Sequence, residues 1–398
     1  MNAAHEELFD SSVVLKENEW TQDALQDIPT CKGVLLFIDS QNKPIQIIQA
    51  GNLRRAVYTR VLQNEAETSR KTDIAALSRK ISWISCHSAF MTQLNYLRLV
   101  RIFFANMADT WIQLPTPSFA VIDLDAALPF FYVSNSSAIT ENRRVYGLFP
   151  NRKTALRFTE TLNTVFSLCL NPSLLKTSRR SSCPYLQMQK CPGPCLDPSL
   201  QDVYLDRVHI AVACANGHFD QTRNELQTRM QKFVNILDFE RAQEAKKQLD
   251  LLNKLQDANF RWVHNLKDIS ILHVDQSFKQ PIEGKKRKVR HYKWLKIVCD
   301  AVYNMGDFLP KSHEDIERFL EQNWTTAPAL PYTHNTSEHL GNLAYFLFRS
   351  KPAGFWLDCT NGIPADPLFS GLNDCFNICN PQKKDRFAQK KDAENNST

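Results

Sequence analysis

Four cysteines, Cys169, Cys183, Cys191 and Cys195, follow one another with 13, 7 and 3 residues between successive members. The stretch that holds them is rich in Ser, Pro and Arg and lacks the apolar periodicity of helices and strands, so it has little core of its own to order it. The prolines and glycine of the CPGPC run let the backbone bend until Cys191 and Cys195 face one centre. Sulfur-only ligation suits zinc or an iron-sulfur cluster, because both take soft thiolates. Four free buried thiols are the simpler alternative, since free cysteine packs as a small hydrophobe. Across the chain there are eleven cysteines, an odd number, and the opening MNAAHEELFDSS has neither a basic start nor an apolar signal core. Metal or free thiols are therefore expected over a disulfide scaffold, in a cytoplasmic protein. No apolar run approaches the ~20 residues needed to cross a bilayer, so no membrane partner is expected.

The 398 residues leave room for several modules, and 43% hydrophobic against 23% charged residues is ordinary for a globular chain. Glycine is scarce at 11, and neither GxxxxGK[ST] nor GxGxxG occurs, which removes nucleotide hydrolysis and dinucleotide chemistry and leaves no nucleotide cofactor. A net charge of +6 permits polyanion binding without requiring it.

Residues 33–49, GVLLFIDSQNKPIQIIQ, read as a β-hairpin around a polar turn, and Asn52 as the cap of a following helix with Leu53, Val57 and Val61 on one face. A second helix is expected from Ser88, short strands at 119–124 and 129–133, an amphipathic helix over 154–168, and a long polar helical region from Asp220 to Leu255 that suits a hairpin. Beyond Phe260 come an alternating strand, ISILHV, flanked by Asp268 and Asp275, and two helices starting near Ser312 and Ser337.

The segment SCPYLQMQKCPGPC (182–195) closely resembles the cysteine-rich signature of the UvrC subunit of the bacterial excision-repair nuclease. YGLFPNRKTALRFTETLNTVF (146–166) resembles the element and helix that precede it in that family, and LDFERAQEAKKQLDLLNKL (237–255) resembles the UVR motif. The resemblance implies that Cys169, Cys183, Cys191 and Cys195 hold an iron-sulfur cluster, with zinc as the alternative, although Cys169 stands closer to its preceding helix than the family pattern has it. It also implies that the UVR hairpin docks on UvrB or a UvrB-like protein, through Leu237, Phe239, Glu240, Ala242 and Leu249.

The same resemblance extends to residues 33–57, GVLLFIDSQNKPIQIIQAGNLRRAV, which align with the GIY-YIG nuclease hairpin and first helix. Such a nuclease needs a phenol near the attacking water, a cation for developing phosphoryl charge and a carboxylate for a divalent metal. Here Leu35 and Gln46 replace the two tyrosines, Gln49 the lysine, Ala56 the helix arginine and Gln93 the metal carboxylate. A neutral amide is a poor magnesium anchor. The expected protein is thus UvrC-like and without incision activity, binding UvrB as an accessory factor of nucleotide excision repair. The alternative is an active GIY-YIG-type DNA endonuclease with rearranged residues such as Tyr58, Arg54 or Arg55. DNA is a further candidate partner, through Arg54 and Arg55 and through the run KKRKVRHYKWLK (285–296), where Lys285, Lys286, Arg287 and Lys288 neutralise phosphates and Tyr292 and Trp294 stack.

The fold class expected is α/β: a GIY-YIG-like small mixed sheet with helices, a cysteine-rich segment, a UVR helical hairpin and a small α+β C-terminal domain. The divisions are 1–110 nuclease-like, 111–165 strand-rich extension and helix, 166–200 cysteine-rich, 201–258 helical with the UVR motif, 259–380 of unknown role and 381–398 a disordered tail. The family's ribonuclease H-like nuclease and helix-hairpin-helix elements are not evident in residues 259–380.

Overall fold

The computed structural model describes residues 7–15, 20–62, 73–176, 183–188, 190–282, 287–330 and 336–377. The tail 381–398 and the cations Lys285 and Lys286 lie outside them.

The expected hairpin forms from β2 (Lys32–Ile38) and β3 (Pro44–Ala50), paired so that Leu35 faces Ile48 and Phe37 faces Gln46. Asp39 shapes its turn by accepting the backbone N–H groups of Gln41 and Lys43, each at 2.8 Å. With β1 (Ser11–Val14) and β4 (Lys80–Cys86) these strands give a sheet in the order β1-β4-β2-β3. Every pairing is antiparallel, so the mixed sheet expected here is an antiparallel one. Helix α1 (Leu53–Val61) starts at Asn52, whose side chain accepts the Arg55 N–H, and packs Leu53 and Val57 on Leu35 and Phe37. Helix α2 (Ala89–Phe103) starts at Ser88 and puts Leu99 and Val100 on the opposite face, against Val34 and Leu36. Alternate residues of β2 thus serve two cores.

The second sheet takes β5 (Phe119–Asp123), β6 (Tyr132–Ser134), β7 (Arg143–Gly147) and β8 (His264–Asn265) in the order β6-β5-β7-β8. One face, through Ala120, Ile122 and Tyr146, is covered by α3 (Arg152–Val165), α4 (Gln201–Ala215), α5 (Asp220–Asn235) and α6 (Phe239–Lys254). Residues divided at 165, 200 and 258 in the sequence reading therefore share one core. The reason is that α4, α5 and α6 each carry only one apolar stripe and need the sheet to cover it.

The third sheet runs β11-β10-β9-β12, from β9 (Ser270–Gln280), β10 (Val289–Val298), β11 (Val302–Phe308) and β12 (Phe355–Asp358). Asp275 lies inside β9, not at a turn beyond it. On one face, Leu272, Val274 and Trp294 meet α7 (His313–Asn323) and α9 (Ala365–Phe376). On the other, Ile271, Leu295 and Ile297 meet α8 (Thr336–Leu347), the back of the second sheet and the start of α2. Phe90 of α2 is fully buried there, its ring edge-on to Phe346, Trp356 and His273 at 5.3–5.4 Å. Among the described residues no helix is long and apolar enough to cross a membrane.

His273 stacks on Trp356 at 3.7 Å with Nδ1 3.1 Å from the Phe355 carbonyl oxygen. Burial pushes its pKa down to about 3, and burial together with Lys293 pushes that of His87 down to about 4. Both rings stay neutral where the unfolded chain would take up protons, below about 6.5. Stability is therefore full above about pH 6.5 and falls as pH drops toward 4, with a slope of at most about 1.4 kcal/mol per pH unit for each ring. Thermal unfolding followed by circular dichroism between pH 7 and 4.5 should show the decline, and His273→Asn should flatten it.

Candidate functional site

Of the positions that the resemblance gives to nuclease chemistry, two meet, those of Gln49 and Gln93. Gln49 at the end of β3 donates its amide to Gln93 Oε1 on α2 at 2.7 Å, so the lysine and carboxylate positions meet as two neutral amides. Gln46 accepts from Arg60 Nη1 at 3.1 Å. Leu35 is wholly buried in the sheet and Ala56 is half-buried on α1. Arg54 is tied down, donating to the carbonyls of Ile28 and Gln26 at 2.7 Å each, and so braces the loop before β2. Arg55 and Tyr58 are exposed on α1.

The four cysteines also converge. Cys169, Cys183, Cys191 and Cys195 line one cavity of about 20 Å³, walled by Leu174, Leu186 and Gly193. Local bonds build it: the helical turn Pro184–Gln187 follows Cys183, the Cys191 N–H reaches the Tyr185 carbonyl, and Gly193 turns at φ +80°. A Cβ on Gly193 would stand 2.7 Å from a methyl of Leu186, so glycine is required there. The Cys169 N–H donates to the Tyr204 hydroxyl at 3.2 Å, which itself donates to the Pro129 carbonyl at 2.7 Å, anchoring the first cysteine to α4 and the second sheet. Burial pushes the Cys169 thiol up to about 11 and raises that of Cys191, and the neighbouring cysteines add to both shifts. Without a cation the pocket favours neutral thiols. Among the described residues no three Cys, His, Asp or Glu side chains are arranged to hold a metal ion.

Helices α5 and α6 form the hairpin, turning at Leu237 with φ +61°. Residues 237–255 supply only its second arm. The expected apolar stripe divides in two: Ala242, Ala245 and Leu249 are buried in the seam, while Leu237 and Phe239 are 73% and 64% exposed at the tip. Ala242 and Leu249 are thus core residues and not partner-facing ones, because α6 needs them to meet α5 and the second-sheet core. Glu240 is exposed beside the tip. Ile236 and Val234, which the sequence reading passed over, extend the exposed patch. Their signal is an apolar VNIL tract at the turn of otherwise polar helices.

The basic run is mostly strand β10. Trp294 is fully buried among α7 and α9, so it stacks on no base, and Tyr292 packs on Phe376 at 4.8 Å. Lys293 pairs with Asp307 at 3.0 Å, and Lys296 donates to the Trp324 carbonyl at 3.1 Å. Strand alternation has drawn the aromatic residues inward. Arg287 and Lys288 remain exposed.

Residues 119–214 match the family model of the UvrC/Cho excinuclease middle domain. That span begins with β5 and ends within α4, so it covers three of the four strands of the second sheet, α3 and the cysteine segment. The chain is similar to proteins of the UvrC family over this span. It is 24% identical over 250 residues to UvrABC system protein C of Pseudomonas putida, a match covering 60% of this chain and 39% of that protein. The corresponding protein of Neisseria meningitidis is 23% identical over 261 residues, covering 62% and 40%. That of Pseudomonas entomophila is 28% identical over 117 residues, covering 29% and 19%. The chain thus spans about two fifths of the length of the curated UvrC relatives that it matches over its longer alignments. No solved structure matches it.

Proposed function

We propose that this UvrC-like chain does not incise DNA through its GIY-YIG-like unit and acts in nucleotide excision repair by binding, docking on UvrB through the hairpin tip. The observation that carries the reading is the Gln49–Gln93 amide pair at 2.7 Å. Two amides that satisfy each other offer neither a negative anchor for a divalent ion nor a positive charge for the phosphoryl group. Leu35 adds nothing that moves a proton. The purified chain, alone or with UvrB, should leave damaged duplex intact in magnesium or manganese. Nicking that disappears on Arg55→Ala would overturn the reading in favour of rearranged chemistry.

The docking surface is the exposed tip, Val234, Ile236, Leu237 and Phe239, with Glu240 and Arg241 to orient a partner. Large exposed apolar side chains next to one another are a feature of interaction surfaces. Phe239→Ser should weaken UvrB association by more than about 1 kcal/mol, as loss of a central aromatic contact does. Its circular dichroism and thermal midpoint should match the wild type, because the ring is outside the core. Equal UvrB binding by both proteins would remove the docking proposal.

The cysteine cavity supplies the donors of a thiolate-ligated centre: four sulfurs line it, beside the amide of Asn171 and the phenol of Tyr185. Cys169, Cys183, Cys191 and Cys195 would hold an iron-sulfur cluster, or zinc in its place, and the group would supply folding energy to a segment with little core. Protein purified without oxygen should carry iron and sulfide, and Cys191→Ser should lose them and expose residues 183–195 to proteolysis. Absence of both iron and zinc from anaerobic wild-type protein would leave four free thiols.

A further inference from the structure

Where the end of α3 meets α4 and the α5–α6 hairpin, an open cavity of about 320 Å³ remains. Phe166 and Leu226 form its apolar floor, and its polar walls carry Arg207 from α4, Glu225 and Arg229 from α5, and Gln248 from α6. Arg207 is half-buried yet makes no hydrogen bond or ion pair among the described residues. Arg229 donates one Nη to Gln248 Oε1, which leaves the rest of its guanidinium and the Gln248 amide NH2 as donors. Glu225 does not neutralise the pair: it is exposed and accepts from Gln221 Nε2 at 2.9 Å. Two guanidinium groups thus face one cavity against a single carboxylate that is engaged elsewhere.

A guanidinium withdrawn from water without a partner is costly, and its planar fork of donors matches an oxyanion in a bidentate way. We propose that this cavity binds a phosphate group, held by Arg207 and Arg229 with the Gln248 amide as a further donor. A tetrahedral phosphate offers enough oxygens to engage both forks at once, whereas a carboxylate has two. The phosphate can come from a nucleic acid backbone or from a free phosphorylated molecule. The site lies at the root of the hairpin, away from the apolar tip and the amide pair, so it stands whether or not UvrB docking and loss of incision hold.

The test uses the whole chain with inorganic phosphate, chloride and acetate at equal ionic strength, and then a duplex oligonucleotide. Phosphate should raise the thermal midpoint above chloride while acetate does not. Arg207→Gln and, at the exposed wall, Arg229→Gln should weaken phosphate binding at least about tenfold, as loss of a charge-assisted hydrogen bond does. Glu225→Gln should strengthen it, an effect that no folding defect would imitate. If the source is nucleic acid, both arginine variants also bind the duplex more weakly with a salt slope lower by about one. If it is a free phosphate, duplex affinity is unchanged while phosphate binding is lost. Equal phosphate effects in wild type, Arg207→Gln and Glu225→Gln, or an equal response to acetate, would overturn the proposal.

Discussion

The ring of Phe90 joins the helix behind the first sheet to the core between the other two. It enters from the first turn of α2, the helix that also backs the nuclease-like sheet, and ends edge-on to Trp356, Phe346 and His273 of the third sheet and its helix. Around it lie Phe119, Val121 and Val145 from the second sheet. One side chain from the helix behind the first sheet thus enters a core built by the second and third sheets, and edge-to-face aromatic pairs fix direction as well as area. The arrangement explains why a histidine is tolerated at full burial: held neutral, His273 serves as one more flat ring.

From that junction the two flanking units follow with different freedom. The first sheet is sandwiched between α1 and α2, so the hairpin geometry is held by packing on both faces. The amides of Gln49 and Gln93 keep β3 and α2 in contact without any formal charge. The cysteine segment is the reverse case. Its shape depends on a few backbone bonds and on Tyr204, and burial raises the thiols of Cys169 and Cys191.

Local signals were legible where one residue type decides one feature. Asn52 was readable as a cap, Ser88 as the start of a helix, Asp39 and its neighbours as a turn, and the polar stretch 220–255 as a hairpin. The cysteines were readable as a group because sulfur spacing survives without regular structure. What escaped was set by distant partners. The two-residue strand β8 exists only because β7 pairs with it, and β12 only because β9 does. Trp294 looked like a stacking residue among cations, yet β10 places it inside, with Lys293 and Lys296 half-buried and bonded beside it. Ala242 and Leu249 shared a stripe with Phe239 on paper, but α5 covers the stripe only up to the turn.

Strand β8 carries a further consequence. Because it returns at His264–Asn265 to pair with Gly147 and Tyr146, everything between β7 and β8 is a closed loop that includes the cysteines and both arms of the hairpin. Closing so long a loop costs chain entropy before any contact rewards it, and it cannot happen until the ribosome has released the whole insertion. Events inside the loop, such as pairing of the two arms or packing of α4 on α3, shorten its effective length. Each would hasten the arrival of the last strand, so the order of assembly is written into the topology: arms first, edge strand last.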